Sequence, residues 1–239
     1  MDFEVTQATI DRFYGGRDPR DIPVYTIAEA ARHIHTPYST VYSWLRGQNY
    51  PSASGARRSK PVVTHSAKRL SFYTLVELHL VRGLRELHGV SMPKIRRSLD
   101  YARTSGLGIS LLELVQHGLR EGGGDLFVEH GGNLVSLSLS GQLALKKILE
   151  KYLNRIDLDD TNLPRRLYPF PSETLGSDRK TILIDPFVAF GQPTLANTGI
   201  PTNVIARRFD AGESLEYLAW DYELDIDQLQ DAILYEQAA

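Results

Sequence analysis

Residues 26–47, TIAEAARHIHTPYSTVYSWLRG, constrain the fold more than any other segment of the chain. Thr26 and Glu29 stand at capping-box spacing: the threonine oxygen accepts from the N3 amide, and the glutamate reaches back to the N-cap amide. Ile27, Ala30, Ala31 and Ile34 then fall on one helical face. His35 opens a turn. Thr36 is placed to cap a second helix, and Pro37 suits its first position, where no N–H is needed. Val41, Trp44 and Leu45 form the inward side of that helix, and Gly47 ends it. Tyr38, Ser39, Thr40, Tyr42, Ser43 and Arg46 are left to face outward or to flank. The second helix of such a pair commonly enters the major groove of DNA. The bland alternatives stay open at this point: Trp44 reads as core, and Tyr42 reads equally as a packing aromatic.

The charge distribution bears on that expectation. The chain has a net charge of −2. Residues 1–105 hold sixteen Lys and Arg against nine Asp and Glu, residues 106–178 seven against ten, and residues 179–239 four against ten. No acid occurs in residues 30–76, while Arg32, Arg46, Arg57, Arg58, Lys60, Lys68 and Arg69 do. An acid-free basic stretch overlapping a helix pair suits phosphate contact, although a solvated basic loop has the same letters. The front and rear of the chain are therefore expected to meet different partners. With no cysteine among 239 residues, disulfides, thiolate metal sites and a cysteine nucleophile are excluded, which fits a reducing cytoplasm. The N-terminus lacks the basic and apolar regions of a signal peptide, and no apolar run is long enough for a membrane span.

The expected architecture is mainly α with small β elements. Residues 1–24 read as a polar lead-in, and 25–105 as a winged helix-turn-helix domain. Its wing is a basic-tipped hairpin with Val62, Val63, Leu70 and Phe72 supplying short strands. Ser71 caps a helix over roughly 72–88, and Ser91 starts another over 92–104. The middle region, 106–178, predicts a helix over 109–119, a hairpin around Gly131-Gly132, a helix over 140–156 and a connector from 157. The C-terminal region, 179–239, predicts a short strand followed by helices over 202–210, 214–221 and 226–236. Asp225 and Gln228 make a second capping box there, and Ile205, Leu215, Leu218, Ala219, Leu229 and Ile233 read as core.

Two segments resemble known families. Residues 25–104 resemble the winged helix-turn-helix of MerR-type regulators. Residues 184–235 resemble a small domain of unknown function common in bacterial antitoxins, through Gly191-Gln192-Pro193, Gly199-Ile200-Pro201, Gly212-Glu213-Ser214-Leu215-Glu216 and Asp221-Tyr222. Together they resemble a VapB-type antitoxin. That resemblance implies a PIN-domain ribonuclease toxin as partner, operator double-stranded DNA as ligand, and a homodimer. Two features depart from the MerR pattern. Tyr42-Ser43 precede Trp44 where a basic residue is usual, and Gly106 and Gly108 interrupt the place of the long dimerising helix.

On this reading Tyr38, Ser39, Thr40, Tyr42, Ser43 and Arg46 approach base edges and backbone, while Arg57, Arg58, Lys60, Lys68 and Arg69 follow phosphates. Toward a toxin, Arg207 and Arg208, or Arg165 and Arg166, are placed to pair with a carboxylate cluster. Phe187, Phe190 and Leu195 are candidates for an apolar docking patch, or for core. Each arginine pair also reads as an ordinary surface pair. The acidic C-terminal helices read as protein-binding rather than as a second DNA reader.

No cofactor, metal or catalytic constellation is expected. The seven histidines lack ligand spacing, there is no Walker A motif, and residues 157–160, DLDD, read as a solvated turn. A ligand-responsive MerR-like regulator whose region 106–178 binds a small effector is the main alternative, and an enzyme with an appended helix-turn-helix is a more distant one.

Overall fold

A computed structural model describes residues 7–52, 55–65, 67–86, 92, 120–122, 125–130, 133–136, 151–170 and 179–238. The lead-in is not featureless: it holds helix α1 (Gln7–Tyr14) and a 3-10 turn at Pro19–Asp21. Helices α2 (Ile27–His33) and α3 (Tyr38–Arg46) follow, joined by a turn in which His35 has φ 44°. The capping box forms: Glu29 N donates to Thr26 Oγ1 at 3.1 Å, and Thr26 N donates to Glu29 Oε2 at 2.7 Å. Burial of Glu29 opposes ionisation, but the Thr26 backbone and side-chain hydrogen bonds win and hold its carboxyl below the usual range. At α3 the N-cap is Pro37 rather than Thr36, whose hydroxyl donates instead to Ile34 O.

The hairpin lies ahead of where the apolar pattern put it. Strands β1 (Asn49–Ser52) and β2 (Gly55–Arg58) pair antiparallel, with Asn49 opposite Arg58 and Tyr50 opposite Arg57. Val62 and Val63 are core instead, both with amides donating to Trp44 O and both at most 1% exposed. Leu70 bridges Tyr25, and Phe72 opens helix α4 (Phe72–Glu86). The reason lies in the open carbonyls at the helix end. A loop that folds back over α3 caps its last turn and buries two valines in one step, which a strand pair in the same place would not do. Ser71 caps α4 as expected, accepting from Thr74 N.

Strands β3 (Arg120–Gly122), β4 (Asp125–His130) and β5 (Asn133–Ser136) form one antiparallel sheet, which includes the expected middle hairpin. Its turn at Gly131-Gly132, the helix expected over 109–119, all but Met92 of the helix expected over 92–104, and residues 140–150 of the next helix lie outside the described residues. Residues 151–153 are helical. The expected connector carries structure: β6 (Ile156–Leu158) and β7 (Pro164–Leu167) continue into β8 (Ile182–Ile184) and β9 (Pro193–Leu195) as a four-stranded antiparallel sheet. The 178/179 boundary therefore falls within one sheet. Helices α5 (Thr202–Asp210), α6 (Leu215–Tyr222) and α7 (Ile226–Gln237) follow, with the Asp225–Gln228 capping box formed.

Two apolar cores meet at β8. The larger gathers Tyr25, Ala30, Val41, Trp44, Leu70 and α4 with Tyr152, Phe170 and Ile184. The smaller gathers Ile182 and Leu195 with Ile205, Leu218, Leu229, Ile233 and Tyr235, and Leu215 and Ala219 pack at its margin. Two of the buried arginines are satisfied by backbone carbonyls, as burial demands. Arg82 donates to Ile34 O at 2.7 Å, and Arg155 donates to Tyr168 O, Pro169 O and Arg179 O. No described helix is long and apolar enough to cross a membrane.

Candidate nucleic-acid interface and the C-terminal surface

Helix α3 buries Val41, Trp44 and Leu45, and its opposite face is bare. Tyr38 and Tyr42, one turn apart, are 53% and 46% exposed with ring centroids 6.0 Å apart. Ser39 and Arg46 are exposed, while Thr40 and Ser43 are half-buried. Ser43 Oγ donates to Thr40 O at 2.8 Å, so its hydroxyl proton is engaged within the helix.

Gly47 then turns the chain sharply, and the hairpin comes back alongside. Arg58 Nη2 donates to Arg46 O at 3.0 Å, so the hairpin is fastened to the last turn of α3. A groove results, lined by Ser39, Thr40, Tyr42, Ser43, Arg46, Gly47, Gln48, Asn49 and Arg58. No acid is among those lining residues. Arg57 lies across from Tyr50, and both are exposed. Side chains alternate along a strand, so Arg57 and Arg58 address opposite faces of the hairpin. Lys60 is exposed just beyond β2.

The rest of the basic stretch goes elsewhere. Arg69 Nη1 donates to Val24 O at 2.6 Å and lines a second groove with Asp21, Thr64, His65 and Ser71. Lys68 is exposed on the same loop. The sequence thus presents one run of cations, whereas the fold divides it between the α3 groove and the β-bridge at Leu70.

The toxin-side candidates are distributed differently from the expectation. Arg165 and Arg166 lie on β7, and both pair with Asp185, whose side chain is fully buried, at 2.8 and 3.3 Å. Arg165 also stacks over Phe187, 3.8 Å from the ring centroid, and burial lowers its pKa against the pull of Asp185. Phe187 is half-buried, with Arg20 on it as well. Leu195 is fully buried. Leu195 therefore belongs to the core, the other reading the sequence allowed, while Phe187 is partly covered by two arginines. Phe190 alone is open, 60% exposed and tilted against Tyr14. Arg208 is held by Glu213 and Asp221; the Glu213 hydrogen bond leads in raising its pKa, followed by Tyr222 and Asp221. Arg207 is exposed on α5.

The DLDD turn is likewise committed. Asp159 Oδ1 accepts from Thr161 N and Leu163 N, and Oδ2 accepts from Arg20. Burial works against its ionisation, but the hydrogen bonds from Thr161, Leu163 and Arg20 hold its pKa at about 2. Among the described residues no cluster of His, Asp and Glu has the makings of a metal site. What sequence reasoning missed lies on α6: Trp220 is 74% exposed and Tyr217 48%, with ring centroids 5.8 Å apart. The signal available was their i, i+3 spacing on the face opposite Leu218.

The family described as protein of unknown function, DUF433, matches residues 182–235, which run from β8 to α7. A Mycobacterium tuberculosis protein named "Putative antitoxin VapB45" is 30% identical over 234 residues, covering 89% of this chain and 93% of its own. The crystal structure of Rv2018 from Mycobacterium tuberculosis is similar at a TM-score of 0.57 and 26% identity, over 89% of this chain and 98% of that one. The chain belongs to the VapB-type antitoxin family.

Proposed function

We propose that this antitoxin binds operator double-stranded DNA through α3 and the β1–β2 hairpin, acting as a MerR-like winged helix-turn-helix, and that it neutralises a cognate PIN-domain ribonuclease toxin through its acidic C-terminal region. It is a regulatory binding protein rather than a catalyst. The observation that carries the DNA half is the acid-free groove of α3, with Arg46 and Arg58 along its edge. Tyr38, Ser39, Thr40, Tyr42 and Ser43 meet base edges; Arg46, Arg57, Arg58 and Lys60 meet phosphates. Hydroxyls and tyrosines discriminate less sharply than an arginine–guanine pair, so specificity grows from two half-sites read by a homodimer. Lys68 and Arg69 sit on a separate surface and contact the flanking backbone at most.

The test is binding of DNA from upstream of the chain's own reading frame, measured at several salt concentrations. Arg57→Ala with Arg58→Ala weakens binding and flattens the plot of log K against log salt by about 0.9 for each phosphate no longer neutralised. Toxin binding stays unchanged. An equal loss of both activities, or an unchanged salt slope, refutes the assignment.

A further inference from the structure

We infer that α6 is the docking ridge for the partner polypeptide, with Trp220 and Tyr217 entering an apolar pocket whose rim carries lysine or arginine. The inference rests on the proposed toxin partner and names the surface that takes it. The argument begins with helical spacing. Leu218 is fully buried against the smaller core, with Leu215, Ala219 and Tyr222 packed beside it. The opposite face therefore carries Glu216, Tyr217 and Trp220 at i, i+1 and i+4, with Glu223 at the C-cap. Surfaces rarely leave a tryptophan three-quarters bare, and an aromatic pair of this kind is the composition of an interface centre.

Charge selects the occupant. Glu216 and Glu223 flank the pair and are exposed. Asp221 and Glu213 are already neutralised by Arg208, which leaves Glu216 and Glu223 as the acids beside the aromatic rings that address a partner. A second copy would bring glutamates against glutamates across a twofold axis, which like-charge repulsion opposes. Nucleic acid is repelled by the same field. A basic-rimmed polypeptide satisfies both the rings and the carboxylates.

The experiment uses the full chain and the purified polypeptide encoded beside its reading frame. Trp220→Ala weakens the complex at least about tenfold, while Trp220→Phe retains most of the affinity. Glu216→Gln with Glu223→Gln reduces the salt dependence of association. The exposed position keeps the fold intact, which an unchanged thermal midpoint and unchanged operator binding verify. If the complex forms and Trp220→Ala leaves it unaffected, this ridge is not the docking surface and the antitoxin reading stands. If the wild-type chain forms no complex at all, the toxin reading fails and this inference with it. A chain that dimerises alone and loses that dimer on Trp220→Ala has a second copy on the ridge, which also overturns the proposal.

Discussion

His33 and His79 are buried as neutral rings, and this makes stability depend on pH in a predictable direction. His33 shares a 2.8 Å hydrogen bond with the Tyr235 hydroxyl, and His79 Nε2 lies 3.1 Å from Tyr152 O. Burial leads in pushing both pKa values down to about 3, with Arg32 adding for His33 and Arg82 and Arg155 for His79. Unfolded histidine titrates near 6.5. Between those values the unfolded chain holds protons that the folded chain refuses, so stability is complete above about pH 7 and falls as pH drops toward 3. Each ring contributes roughly 1 kcal/mol per pH unit in that window. Glu29 and Asp159, both depressed, act with the same sign only below their unfolded values of 4.5 and 3.8. The urea midpoint therefore falls between pH 6.5 and 5 through the histidines, and a flat midpoint there contradicts their burial. From the sequence these histidines read only as scattered non-ligands. Their partners lie 202 and 73 residues away, beyond any local pattern.

At the scale of elements, the joint between α3 and the hairpin governs the groove. Gly47 has φ 77°, and a Cβ there would collide with the Ser59 carbonyl oxygen. Ala at this position is strained by its backbone and forces β2 away from the helix at once. Gly47→Ala therefore destabilises the fold by about 1–3 kcal/mol. It also weakens operator binding more than Arg58→Ala alone, because Arg46 and Arg58 lose their common edge. Equal operator affinity for Gly47→Ala and wild type, in a gel-shift titration, counts against a rigid joint. The parts of this region that local rules decide were legible: the Thr26–Glu29 capping box, the Gly47 stop and the inward set Val41, Trp44 and Leu45. The hairpin was not. Val62-Val63 has the look of a strand, but its amides and side chains are claimed by Trp44 and the core, and that tertiary demand outranks β propensity.

The whole molecule is less divided than its charge suggests. A cationic front and an anionic rear suit different partners, yet β8 feeds both cores and α7 lies against α2. Tyr235 is the pivot: its ring stacks on His33 and meets His35 edge-on, while Arg32 faces Glu236 at 3.7 Å. Tyr25 reaches across as well, its hydroxyl donating to Gly191 O at 2.8 Å. Ala238, just past α7, lies at the same place, sharing a groove with Pro37 and Tyr38 at the start of α3. A helix of the region matched by DUF433 thus braces the helix pair proposed to meet DNA. Tyr235→Ala opens a cavity in that brace and costs about 3–5 kcal/mol, as for other large buried aromatics. Tyr235→Phe removes only the hydroxyl and leaves the His33 nitrogen unpaired, for about 1–3 kcal/mol. In differential scanning calorimetry the wild-type chain melts in one transition. Tyr235→Ala lowers that transition, and the segment containing α2 and α3 loosens with the C-terminal helices, which amide exchange at Ala30 and Val41 reads directly. Exchange that speeds up in α5–α7 while α2 and α3 keep wild-type protection means that the two halves fold separately, and the brace is then only a contact.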